Sequence, residues 1–218
     1  MNNFLNLFFI FFIYSFIGWI VETIYVSFKQ KKVANRGFLI GPYCPIYGIS
    51  ATVMLLTLSK YKEDVLILFI MGIVIASILE YLTSLILEKL FRVRWWDYSD
   101  RILNIDGRVC LLNSILFGIC CVLLLIYLNP FIESVIYHIP LNIKNFTALL
   151  LFILFSIDTF FSLKTIHDIK IEVNYNLRKD YTEEISSKVK EALINESKSF
   201  KRILNAFPNF NIINKVRK

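Results

Sequence analysis

The chain has no charged residue before Glu22. It therefore lacks the basic start and small-residue cleavage site of a secretory leader, and its first apolar segment is expected to stay in the mature protein. It has no G-x-x-x-x-G-K-[ST] phosphate loop, so it cannot energise itself with nucleotide by that route. HExxH, GxSxG and Cys-His arrangements are missing too, and the two histidines, His138 and His167, fall in an expected loop and tail. The four cysteines (Cys44, Cys110, Cys120, Cys121) form no CxxC pair and lie in or beside apolar segments, which excludes a zinc-type framework and predicts reduced thiols. No cofactor or metal site is expected, and no catalytic residue is assigned.

Long apolar runs are what the chain does have. Hydrophobic residues make up 56% of 218, with a mean hydropathy of +0.60, against roughly 45–50% apolar in soluble domains. Runs longer than about 18 residues recur, which defines a polytopic membrane protein. The pattern predicts an all-α helical bundle with five spans, at about 4–28, 42–59, 65–87, 109–128 and 146–163. Together they form a transmembrane domain over 1–166. The remainder, 167–218, reads as a cytoplasmic tail with an amphipathic helix over Asp180 to Asn205. Asn129-Pro130 is expected to close the fourth span.

The net charge of +7 points to topology and anionic lipid and not to nucleic acid. Lys and Arg number four in 29–41, five in 88–108 and twelve from 164 onward. The opposite loops hold Lys60 and Lys62, and Lys144. By the positive-inside rule the N-terminus is outside and the C-terminus is in the cytoplasm. Glu22, Glu80 and Asp158 then fall in the inner halves of their spans, as do Tyr43, Tyr47 and Asn113. A buried ionisable group costs roughly 2.5–3.5 kcal/mol on insertion scales and normally faces protein or water. Arg36 and Arg108 enter at the same depth on loops. These eight residues are the candidates for a polar site or substrate path. Glu22 and Glu80 are expected to face each other or a shared polar cavity, with structural hydrogen bonding between helices as the plain alternative.

Two stretches interrupt the apolar pattern. Residues 35–48 carry Gly37, Gly41, Pro42 and Pro45, which no ordinary helix interior accommodates. They form either a tight hairpin at the membrane surface or the lining of a site, since irregular backbone at membrane depth must be packed in protein or line a wet cavity. Residues 88–108 mix cations with Trp95, Trp96, Asp97 and Tyr98, a composition that predicts an interfacial or coupling segment with its rings at headgroup depth. A short internal repeat is legible as well: a helix with a Glu, a cationic loop, Gly-x-x-Cys, then a return helix. It fits Glu22 with Gly41 to Cys44 and Glu80 with Gly107 to Cys110.

In combination, Phe16-Ile17-Gly18-Trp19 with Glu22-Thr23, Asn35 to Leu39, Gly41 to Gly48, and Arg94 to Ser99 through Gly107-Arg108 resemble the bacterial membrane family of type IV ABC-transporter (CmpB-like) proteins. The resemblance covers about residues 10 to 120. It implies a permease-like subunit in a bacterial cytoplasmic membrane, with a separate ATPase subunit as partner, lipid around it and no nucleic acid. Five spans are few for a translocation path, so a homo-oligomer is expected. A membrane scaffold or regulator that recruits cytoplasmic partners, and an intramembrane lipid-modifying enzyme, are the competing readings.

Overall fold

The computed structural model describes residues 3–31, 37–91, 93–177 and 211–212. Arg36, Arg92 and the expected amphipathic helix lie outside them. Among the described residues the chain is overwhelmingly helical. Helix α1 is Asn3–Gln30, α2 is Pro45–Leu58 and α3 is Val65–Phe91. Then α4 (Leu111–Leu123), a π-helical turn (Leu124–Leu128) and α5 (Asn129–His138) run on as one helix, and α6 is Leu141–Leu177. Four stretches are long and apolar enough to cross a bilayer: Phe4–Phe28, Val65–Phe91, Leu111–His138 and Leu141–Thr165.

The expected span at 42–59 takes a different form. Helix α2 has 14 residues, about 21 Å at 1.5 Å per residue, against roughly 30 Å of hydrocarbon. It is short because it begins part-way up its neighbour. The Cys44 amide donates to the carbonyl of Ser15, near the middle of α1, at 2.9 Å. Residues 37–44 are non-helical and occupy the level that the missing turns would fill. Pro45 sits in the first turn, where its missing N–H costs nothing.

The second long connection folds back in the same way. Asp106 accepts a hydrogen bond from Tyr81, and Arg108 donates to Ser84, both well inside α3. Within this connection β2 (Asn104–Ile105) pairs antiparallel with β3 (Val109–Cys110), while β1 (Val93–Arg94) pairs with β4 (Asn211–Ile212). Cys44 and Cys110 are the N-cap residues of α2 and α4, both extended and both buried. The two Gly-x-x-Cys motifs thus do the same local job, each opening a return helix from within the bundle.

Two further differences have physical causes. Asn129-Pro130 does not end the fourth helix. Proline cannot donate an i→i−4 bond, and the wider π turn just before it absorbs the lost bond, letting the helix continue to His138. The loop between α5 and α6 shrinks to Ile139-Pro140, so Lys144 lies in α6 and is buried. His138 closes α5 and His167 falls in the backbone of α6 rather than in a tail. That helix runs on to Leu177, past the expected domain boundary at 166.

Small residues set the helix spacing. Gly72 of α3 and Gly118 of α4 lie at the crossing, and a Cβ on Gly118 would strike the Ile73 side chain and the Phe69 carbonyl. In lipid, such close approach supplies the packing that water supplies elsewhere. The buried core joins Phe9, Ile10, Met54, Leu58, Leu68, Leu125, Ile132 and Ile136 from α1 to α5. Glu22, Glu80, Glu88 and Arg108 gather toward the opposite end, where α1 and α3 finish, while Asn129 and Lys144 are buried at the core end.

Candidate functional site

The first irregular segment is held by Asp158 of α6. One carboxylate oxygen accepts from the Ile40 amide at 2.9 Å and the Ser162 hydroxyl at 3.0 Å. The other accepts from the Gly41 amide and the Tyr43 hydroxyl, each at 2.7 Å. Four donors satisfy this buried carboxylate, and in return it satisfies two backbone amides that lie at membrane depth. Tyr43 packs edge-on to Phe12 and against Phe155. Leu39 is buried beside it. Asp158 and Tyr43, two of the eight candidates, are therefore a clasp between α6 and the 37–44 segment, apart from the other carboxylates.

The second irregular segment is held by an ion-pair chain. Arg108, only 6% exposed, donates to Glu88 at 2.7 Å and Ser84 at 3.1 Å, and its guanidinium lies over the Tyr81 ring. Glu88 also accepts from Arg94 at 3.1 Å, and Arg94 approaches Asp97 at 3.6 Å. Burial opposes the charge on Asp97, but hydrogen bonds from Ser99 and the Arg94 guanidinium outweigh it and hold the carboxyl below its ordinary value. Gly107 has a φ of +66°, and a Cβ there would meet the side chains of Asp97 and Ser99, so the turn needs glycine.

The aromatic residues of this segment face protein. Trp95 is 3% exposed and meets Phe38 edge-on at 5.5 Å. Trp96 is half-buried and donates its indole N–H to the Arg108 carbonyl at 2.9 Å. The expected belt of rings at headgroup depth is not what Trp95 forms. Its composition is that of an interface residue, but the ion-pair chain folds the segment back along α3 and turns the ring inward.

Glu22 and Glu80 are brought into one neighbourhood by two tyrosines. Tyr47 of α2 donates to Glu22 at 2.5 Å. Tyr98, between β1 and β2, donates to Glu80 at 3.3 Å. Tyr98 lies within electrostatic reach of both carboxylates and of Tyr47. Burial, then the charges of Glu80 and Glu22, push its phenol well above the ordinary value, so it stays a donor. Glu80 is 6% exposed, and its second oxygen has no hydrogen-bond partner among the described residues. A buried oxygen without a donor costs free energy until one is supplied.

Of the remaining candidates, Asn113 is half-buried on α4. The contact there is made by its neighbour Ser114, whose hydroxyl lies 2.8 Å from that of Ser77. Arg36 lies outside the described residues. Glu88, Ser84 and Ser162 were not among the candidates. Their signal was helical spacing: Glu80, Ser84 and Glu88 follow one another at four residues, as do Asp158 and Ser162. No cluster of three His, Cys, Asp or Glu able to hold a metal occurs among the described residues.

The apolar helices define the class: a polytopic, mostly helical membrane protein with charged side chains inside the bundle. The particular family follows from comparison with family models. The chain belongs to the family described as "Putative ABC-transporter type IV", whose model matches residues 9–163. The match extends beyond the motif region and takes in α5 and the apolar part of α6. No curated protein and no solved structure matches the chain.

Proposed function

We propose that this chain is the permease-like membrane subunit of an ABC-type transporter, and that Glu22, Tyr47, Tyr98 and Glu80 form its polar site. The family supports transport, and the missing phosphate loop assigns ATP hydrolysis to a separate subunit. In this reading the chain crosses the membrane five times. Helix α2 and the 37–44 segment together make the second crossing, with the N-terminus outside and the C-terminus, loop 29–41 and loop 88–108 in the cytoplasm, as the cation distribution requires. The polar site then lies in the inner half. The observation that carries it is Tyr98, a loop residue set between carboxylates from two different helices. A group shared by α1, α3 and a connecting segment responds to their relative movement, as alternating access demands.

The lipid-modifying reading needs Arg36 and Arg108 to hold a phosphate. Arg108 is already paired with Glu88 and Ser84, which favours transport. The test is purification of the tagged full-length chain from its native membrane in mild detergent, with ATP hydrolysis as the readout. We expect a co-purifying subunit with ATPase activity. Recovery of the chain with no nucleotide-hydrolysing partner, even after cross-linking in the membrane, would overturn the transport reading in favour of a scaffold.

A further inference from the structure

We infer that the β2–β3 turn is an interfacial wedge: Ile102, Leu103 and Ile105 dip from the cytoplasmic side into the boundary of headgroups and acyl chains of the leaflet in which α3 ends. The three side chains are 85%, 69% and 61% exposed. The charged and exposed Asp100, Arg101 and Asp106 flank them at headgroup level, and the tip between, 102–105, carries no charge. A soluble turn with this display would be unusual, because connecting turns normally present polar residues to water.

Depth decides what covers them. Helix α3 starts at Val65, and roughly 20 residues of helix fill the hydrocarbon, which reaches to about Ser84. The turn is fastened within that stretch, through Asp106 to Tyr81 at 2.8 Å and through Arg108 to Ser84 at 3.1 Å. The outer face of α3 remains apolar and exposed at Ile78, Leu82 and Ile86, so lipid covers the level of Tyr81 and beyond. The turn also joins the lipid-facing start of α4. The Leu111 amide donates to the Leu103 carbonyl at 3.2 Å, and Leu111 and Leu112 are exposed apolar residues. The wedge is thus continuous with the lipid-facing surface of two spanning helices.

Much of its backbone is paired within the turn. The Asn104 side chain donates to the Ser99 and Arg101 carbonyls and accepts from the Gly107 amide. Arg101 N–H bonds Tyr98 O, Arg108 N–H bonds Ile105 O, and β2 pairs with β3. With these groups paired, the turn can rest at the boundary of headgroups and acyl chains, where interfacial water serves the edges that remain. Leu103 is held at φ +51°, a conformation a non-glycine residue rarely adopts and one kept where the surroundings over-determine it. Here it turns two apolar residues outward at the tip. Function follows from connectivity: Tyr98 is tied to Gly107 by its amide at 2.7 Å, so the depth of the wedge sets the position of Tyr98 beside Glu80.

The test is Ile102→Trp in the full-length chain, reconstituted in phosphatidylethanolamine and phosphatidylglycerol vesicles. The lipids are brominated either near the glycerol end or near the methyl end of the chains. The fluorescence added over wild type should be blue-shifted and quenched, more by the shallow bromines than by the deep ones. Added fluorescence that is red-shifted and unquenched in both lipids would overturn the proposal. A photo-crosslinking residue at 102, used in intact cells, should give a lipid adduct. A protein adduct in its place would assign the tip to a partner subunit and overturn the wedge, while leaving the transport reading intact.

Discussion

Replacing Asp158 with Asn removes one of two acceptor oxygens from the clasp that holds residues 37–44. The carboxylate now receives four hydrogen bonds: two backbone amides, a phenol and a serine hydroxyl. Asparagine keeps one acceptor and presents an NH2 group to two of these donors, so two bonds are lost. Hydrogen bonds to a charged group are worth about 1.5–3 kcal/mol each. Water or a rotated Tyr43 hydroxyl recovers part of that, leaving a net cost of about 3 kcal/mol. This converts to roughly a hundred-fold more frequent opening of the segment. Hydrogen exchange by mass spectrometry on the full chain in nanodiscs reads it directly, in peptides that contain Ile40 and Gly41. Faster exchange should be confined to residues 37–44 and the first turn of α2. Ser162→Ala, which removes a single hydroxyl donor, should cost about 1 kcal/mol. If Asp158→Asn exchanges within about two-fold of wild type, under ~0.5 kcal/mol, the clasp does not hold the segment and the reasoning fails.

Arg108→Met should destabilise by about 3 kcal/mol, because it leaves Glu88 partly buried with Arg94 alone. Adding Glu88→Leu should recover part of the loss, as thermal melting of the single and double variants would show. Gly118→Leu should lower the melting temperature through about 1–3 kcal/mol of overpacking at the α3–α4 crossing. An unchanged melt would deny the close approach. Asp97 titrates below its unfolded value, so the stability it lends to the 94–108 segment is present above about pH 4 and lost as pH falls through the folded value. Trp95 emission should shift on acidification below pH 4 in wild type, and Asp97→Asn should weaken that dependence, leaving the part carried by Glu88.

The long helices were legible because apolar length alone specifies them. The carboxylates Glu22 and Glu80 could be placed at one level because helical rise is constant. On α3 the packed side is legible too: its buried residues are Leu68, Gly72, Ala76, Glu80 and Ser84, a stripe at four-residue spacing of mostly small side chains. What escaped depends on contacts distant in sequence. Asp158 meets Ile40 across 118 positions, and no local pattern announces that a carboxylate will cap two loop amides. Trp95 has an interface residue's composition, but its orientation follows from the Arg108–Glu88 pair, 20 residues apart. The shortness of α2 was half legible: the glycines and prolines of residues 35–48 announced non-helical backbone, but hydropathy does not distinguish an extended crossing from a helical one, so the expected span still begins at residue 42.

The central claim is that Glu80 belongs to a route that opens during transport. Glu80→Cys in the full-length chain, assembled in sealed vesicles with the ATPase subunit that the transport reading proposes, tests it through labelling by a small hydrophilic thiol reagent, with the wild-type signal as background. The account predicts that position 80 resists labelling at rest, being buried beside Tyr98, and becomes reactive while ATP is hydrolysed. Labelling that is the same with and without ATP would contradict it.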